Sequence, residues 1–151
     1  MKRGIEAELF RQAVAASQDG LVIADARLPD MPLIYVNPAF ERLTGYQATE
    51  VIGHNCRFLQ ADDTKQEGLE TIRAALHQRA GCTATLRNYR KDGSMFWNAL
   101  SLGLIHDRAG QLTHVVGTLS DVTAHVQAEH QLLQKQQRLE RTKRMLEGLA
   151  L

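Results

Sequence analysis

The chain is poor in the residues that mark several common classes of protein. It has only two cysteines, Cys56 and Cys82. That is too few for a disulfide scaffold, and a reducing compartment would keep both as thiols. Of its six histidines only His125 and His130 stand at a spacing seen in zinc sites, and no cysteine pair accompanies them, so no metal is expected. No apolar run approaches the roughly 20 residues that span a bilayer. The opening MKRGIEAELFRQ meets charges before a signal-peptide core can develop, and a cytoplasmic location without a membrane partner is expected. Charge of one sign is also lacking: the net charge is +1. It gives no reason to expect nucleic acid, an anionic membrane or an acidic substrate as a partner. A phosphate-binding glycine loop, a zinc motif and an acid–base pair are all missing, so nothing points to an enzyme.

What is present suits one soluble domain with terminal extensions. Of the 151 residues 44% are hydrophobic and 23% charged, enough apolar material to enclose a small cofactor as well as a core. Ile5, Leu9, Phe10, Ala13 and Val14 fall at helical spacing in the first segment. After Asp19-Gly20 come two short strands, LVIAD and LIYVN, separated by a polar turn with Pro29 and Pro32. Asn37-Pro38 reads as a cap with proline at the first helical position, and Gly45 closes that helix. Short helical pieces follow over ATEVI and NCRFLQ. A longer helix is expected from Thr64 to Arg79, with Leu69, Ile72, Ala75 and Leu76 on its apolar side. From Cys82 the period becomes two, giving strands over roughly 82–90, 94–105 and 112–121, the first pair joined by the turn KDG. The last thirty residues are helical and polar. The order is that of an α+β fold with helices against one antiparallel sheet.

Alternation along these strands isolates two polar residues on apolar faces. One face of the first carries Cys82, Ala84, Leu86 and Asn88; one face of the second carries Phe96, Asn98, Leu100, Leu102 and Leu104. A buried amide is costly unless its donors and acceptors find partners. Two readings are open. Asn88 and Asn98 satisfy each other and the backbone, or they read the edge of a bound heterocycle, for which an amide has both donor and acceptor. On the third strand the matching face holds Val115, Gly117, Leu119 and Asp121, and Gly117 leaves room for a flat ring. The opposite faces carry Met95, Trp97, Ile105 and Val116, an apolar surface that calls for a terminal helix, a second copy of the chain, or both as cover.

Residues 53–60 read GHNCRFLQ. This resembles the flavin-binding signature of LOV domains, with every usual position of GxNCRFLQ filled. YVNPAFERLTGY before it, and LRNYRKDGSMFWNAL and VVGTLSDVT after it, agree with that family in order and spacing, over about residues 17 to 124. The resemblance implies a PAS fold: a five-stranded antiparallel sheet with helices on one face plus N- and C-terminal flanking helices. It divides the chain into a flanking helix (1–16), a LOV core (17–123) and a C-terminal signalling or dimerisation helix (124–151). It implies flavin mononucleotide (FMN) as cofactor and Cys56 as the thiol that adds to the flavin C4a carbon after blue-light excitation. Cys56 with Gln60, and Asn55 with Leu59, lie four apart and would border one ligand if the segment is helical. The family pattern gives Asn55 and Gln60 to the ribityl chain, Arg57 and Arg73 to the phosphate, Asn88 and Asn98 to the pyrimidine end, and Leu100 to the ring face. Arginine suits phosphate through its planar, permanently charged fork. Cys82 has no role in the pattern and reads as a buried strand residue.

One position departs from the family. The register set by Gly117 and Asp121 puts Leu119 where LOV domains usually have a glutamine near flavin N5 and O4, whose rotation passes the signal to the sheet. Leucine cannot do this. In the last segment Leu132, Leu139 and Leu146 recur every seven residues, as in one seam of a coiled coil. Either this helix packs back on its own sheet, or it forms a homodimer with the outer sheet face, as in the short LOV proteins of bacteria. Three functions remain open: a blue-light sensor acting on a separate, unidentified protein; a light-independent flavin redox sensor; and a cofactor-free PAS interaction module.

Overall fold

The structure, a computed structural model, describes residues 2–150, with side chains from residue 6 onward. The side chain of Ile5, one of the apolar residues at helical spacing in the first segment, lies outside the described residues. The chain separates into two compact units, one ending at Asp121 and the other starting at Val122.

The first unit begins with α1 (Lys2–Ala16), β1 (Gly20–Asp25) and β2 (Leu33–Val36). Next come α2 (Pro38–Thr44), α3 (Ala48–Val51), a 3-10 helix over Cys56–Gln60, and α4 (Glu67–His77). It ends with β3 (Cys82–Tyr89), β4 (Met95–His106) and β5 (Leu112–Asp121). The five strands form one antiparallel sheet in the order β2-β1-β5-β4-β3. This is the expected α+β architecture. Phe40 of α2, Val51 of α3 and Leu59 of the 3-10 helix join Val22, Ala24, Leu33, Val36 and Leu119 of the sheet in one buried cluster. The second unit is α5 (Thr123–Leu149), a single helix on which Leu132, Leu139 and Leu146 are exposed. Among the described residues no helix is long and apolar enough to cross a membrane.

Asn37 is the polar hub of the first half. Its Oδ1 accepts from Leu21 N (2.8 Å) and Phe40 N (3.0 Å), and its Nδ2 donates to Val14 O and Asp19 O. It therefore caps α2 and ties that helix to β1 and to the end of α1 with every donor used.

The helix expected over Thr64–Arg79 is shorter at both ends. Gln66 is buried with extended backbone. Its side chain accepts from Arg87 N (2.7 Å) and donates to Arg87 O (3.0 Å), so it pairs with β3 as a strand would. Asp63 adds a bidentate ion pair with Arg87 and accepts from the Tyr89 hydroxyl. These long-range bonds override the local helical pattern. At the other end Arg79 is left-handed (φ 54) and Ala80 N donates to Ala75 O, a helix stop usually made by glycine. Gly68 lets α4 lie on β3: a Cβ there would stand 2.6 Å from Thr85 O.

Candidate functional site

Between the inner sheet face, the 3-10 helix and α4 lies a cavity of about 160 Å³. Its sheet side is built by Val22 and Ala24 of β1, Leu100 and Leu102 of β4, and Val115, Gly117 and Leu119 of β5. Leu69, Ile72 and Leu76 of α4 and Leu59 of the 3-10 helix close the other side. The strand register sets this surface, since Gly117 pairs with Val22 on one side and Leu102 on the other. A Cβ on Gly117 would stand 2.9 Å from Val22 Cγ2 and 3.3 Å from Leu102 Cδ2, both cavity residues. Any larger residue here would have to push the Val22 and Leu102 side chains aside. Leu119 is 1% exposed and belongs to the core cluster as well as the cavity wall.

Two polar groups interrupt the apolar sheet wall, and they are the two expected. Asn98 Nδ2 donates to Asn88 Oδ1 at 2.9 Å, Asn88 Nδ2 donates to Arg87 O at 3.0 Å, and Asn98 Oδ1 accepts from Ser120 N at 3.2 Å. Both amides are buried and both line the cavity. The first reading, mutual satisfaction, therefore describes their contacts. The second stays available, because each amide uses one of its two N–H donors and one of its two acceptor lone pairs.

Cys56 opens the 3-10 helix, so the α-helical four-residue spacing does not explain how this segment faces the cavity. In a 3-10 helix residues three apart align, which stacks Cys56 with Leu59. Asn55 is the cap: its backbone is extended and its Oδ1 accepts from Arg57 N at 2.9 Å. Asn55, Cys56, Arg57, Leu59 and Gln60 all border the cavity. Two backbone bonds at 2.8 Å, Leu33 N to His54 O and Gly53 N to Leu33 O, pin the segment to β2. Cys56 is half-buried by area, but burial among apolar neighbours pushes its thiol up to about 12. Cys82 is half-buried, not buried, and does not line the cavity.

The two arginines are placed differently. Arg57 lines the cavity but gives both terminal nitrogens to Asp30, at 2.7 and 2.5 Å. Arg73 is exposed on α4 and is absent from the cavity wall. Asp30 was missed in the sequence; it sits in the turn between Pro29 and Pro32, and no spacing rule links that turn to position 57. Gln66 was missed for the same reason. Among the described residues no group of His, Cys, Asp or Glu is arranged to hold a metal ion.

The donor set is that of a pocket for a flat, largely apolar group with a hydrogen-bonding edge and a polar tail. Gly117 leaves part of the wall without a side chain, the paired amides offer donors and acceptors, and Asn55, Arg57 and Gln60 supply polar groups on the helical side. A flavin has this chemistry, and the residues present fit one.

A family model described as PAS domain matches residues 18–124. The chain is 42% identical over 118 residues to a blue-light-activated histidine kinase of Brucella anthropi, covering 78% of this chain and 24% of the relative. Among solved structures it is similar to an RNA-binding light-oxygen-voltage receptor, at TM-score 0.84 and 39% identity, over 92% of this chain and 39% of that one. It is also similar to the LOV domain of the Erythrobacter litoralis blue-light activated histidine kinase, at TM-score 0.65 and 41% identity, over 70% of this chain and 96% of that one. The chain spans about a fifth to a quarter of the length of the curated relatives it matches.

Proposed function

The chain belongs to the LOV photoreceptor domains of the PAS family, and from that membership we propose that it is a blue-light sensor that holds FMN in this cavity and bonds to it reversibly through Cys56. The observation that carries the reading is that Cys56, Asn88 and Asn98 border one largely apolar cavity in which Gly117 leaves its part of the sheet wall without a side chain. When bound and excited, the flavin supplies the absorption of blue light, an electrophilic carbon and a nitrogen that takes up a proton. The chain's part is to present a protonated thiol: burial keeps Cys56 neutral in the dark, so it needs no neighbouring base. Asn88 and Asn98 would orient the ring through their remaining donors and acceptors, Leu100 would pack against it, and Asn55, Gln60 and Arg57 would hold the polar tail. Arg73 is exposed on α4, and any part it has at the phosphate requires movement of its side chain.

The reading is tested by absorption of the purified protein in darkness, under blue light and during recovery. A structured flavin band that bleaches and returns is expected. A flavin band that never bleaches reversibly would leave a redox sensor; a colourless protein that takes up no flavin would leave an interaction module.

With Leu119 in place of the usual glutamine, the signal takes another path. Asn98 offers one, because its Oδ1 holds Ser120 N on β5, next to Leu119 and one residue before Asp121, where β5 ends. A shift of the Asn98 amide reaches the β5 backbone directly. The missing glutamine also removes a ring hydrogen bond, which places the absorption at shorter wavelength. Leu119→Gln is expected to shift the flavin band to longer wavelength and, because the position is buried, to destabilise the flavin-free protein by about 1–3 kcal/mol. An unchanged spectrum in the flavin-loaded variant would refute the wavelength argument.

Residues 17–123 are proposed as the sensing core, with residues 1–16 and 124–151 as flanking helices that carry the signal to a separate protein or across a homodimer. Leu9 and Phe10 on α1, Met95 and Ile105 on the outer face of β4, and the seven-residue leucines of α5 are all exposed apolar groups that such a dimer would cover. A monomeric mass by light scattering at micromolar concentration, in darkness and in light, would remove the dimer.

A further inference from the structure

Among the described residues lining the cavity Arg57 is the only cation, and its partner is already in place. The Asp30 carboxylate takes the two terminal nitrogens end-on, the geometry with which a guanidinium meets any planar or tetrahedral oxyanion. That leaves the Nε–H and the two outer N–H groups for a second anion.

The position of Asp30 is set by backbone, not by the ion pair alone. Asp30 and Met31 are consecutive left-handed residues, at φ 65 and 48, and Asn55 Nδ2 donates to Asp30 O at 2.7 Å. The same Asn55 caps the 3-10 helix that carries Arg57. One side chain thus couples the two ends of the pair. Arg57 holds the Asp30 carboxyl below its ordinary range, so it is a carboxylate at neutral pH. Both side chains are more than half exposed, at 59% and 63%, and an anion can reach them. Arg57 and Asn55 also line an adjoining hollow whose other walls include Asp30, Glu50 and His54. The polar tail of a cavity ligand would therefore reach a region where the one cation is matched by a fixed carboxylate.

We propose that Asp30 is a specificity-determining residue that weakens the preference of this site for a phosphorylated flavin over riboflavin. The proposal rests on the flavin reading above. A flavin phosphate carries a charge of about −1.5 to −2 at neutral pH. It gains from Arg57 but is repelled by the carboxylate sharing that guanidinium. Riboflavin ends in a neutral hydroxyl and feels neither effect strongly.

Two charges of this size about 5 Å apart in a water-like medium change an affinity by about tenfold. Asp30→Asn removes the charge but keeps the turn, since asparagine accepts the left-handed conformation and the carbonyl bonded to Asn55 is main chain. The experiment is a fluorescence titration of the flavin-free full chain, wild type and Asp30→Asn, with riboflavin and with FMN. The variant is expected to bind FMN about tenfold more tightly, with riboflavin unchanged, and the gain should shrink at high salt. Thermal melting of both proteins confirms that the variant is folded. If both flavins bind but the ratio of their affinities is unmoved, or FMN weakens, Asp30 does not set selectivity and the flavin reading stands. If neither flavin binds the wild type, both readings fall.

Discussion

Replacing Cys56 with alanine is expected to abolish reversible bleaching under blue light while leaving flavin binding in place. The thiol is the group on the cavity wall able to form a carbon–sulfur bond, and Cys82 lies on β3 away from the cavity. Alanine holds the same place in the 3-10 helix, and the loss of one half-buried sulfur should cost about 1 kcal/mol or less. The pH dependence tests the state of the thiol. With its titration raised to about 12 by burial, Cys56 is neutral throughout the neutral range. The bleaching yield should therefore be flat from about pH 6 to 9, whereas a thiolate-dependent step would rise tenfold per unit. The sign for stability follows from the same shift. The fold favours the neutral thiol, so this contribution is complete below the unfolded-state value of 9.0 and is lost as pH climbs toward about 12. Cys56→Ala should lack that alkaline loss. Reversible bleaching that survives the substitution would remove Cys56 from the mechanism.

Much of this was readable in the sequence because the signals are local. Asn37-Pro38, the KDG turn and the change of period at Cys82 each declare themselves within a few residues, and the helices and strands stand where those signals put them. The face carrying Asn88, Asn98 and Gly117 was readable too, since strand alternation is strict. What escaped depends on contacts between distant positions. Gln66 is drawn out of a helical pattern by the backbone of residue 87, and Asp30 meets Arg57 across 27 positions. Arg73 has the right residue type on the right helix yet points its charge to solvent, since periodicity reports the apolar side of a helix and not the reach of a long side chain. The 3-10 geometry at Cys56 is a further case: Asn55 and Gly53 are bound elsewhere, and their ties to Asp30 and Leu33 shape the segment.

The two asparagines then differ in a way that composition cannot reveal. Asn98→Leu keeps the volume but deletes a donor and an acceptor at a position 1% exposed. Asn88 Oδ1 and Ser120 N lose their partners together. An orphaned buried polar group costs about 1–3 kcal/mol, so the flavin-free protein should lose about 2–4 kcal/mol in denaturant unfolding. Asn88→Leu strands fewer groups. Arg87 O still accepts from Gln66 Nε2 at 3.0 Å, and among these bonds only Asn98 Nδ2 is left without its acceptor. Its cost should be about half as large. For flavin binding the two should be alike, each removing an amide from the ring edge and weakening affinity by about a hundredfold. The same pair of variants separates folding from recognition: unequal stabilities with similar flavin losses are expected. Asn98 alone should also break the path to Ser120, so any light response that Asn88→Leu keeps at saturating flavin should vanish in Asn98→Leu. Equal stabilities would mean that the Ser120 bond contributes nothing, and intact flavin binding in both would take the amides out of the site.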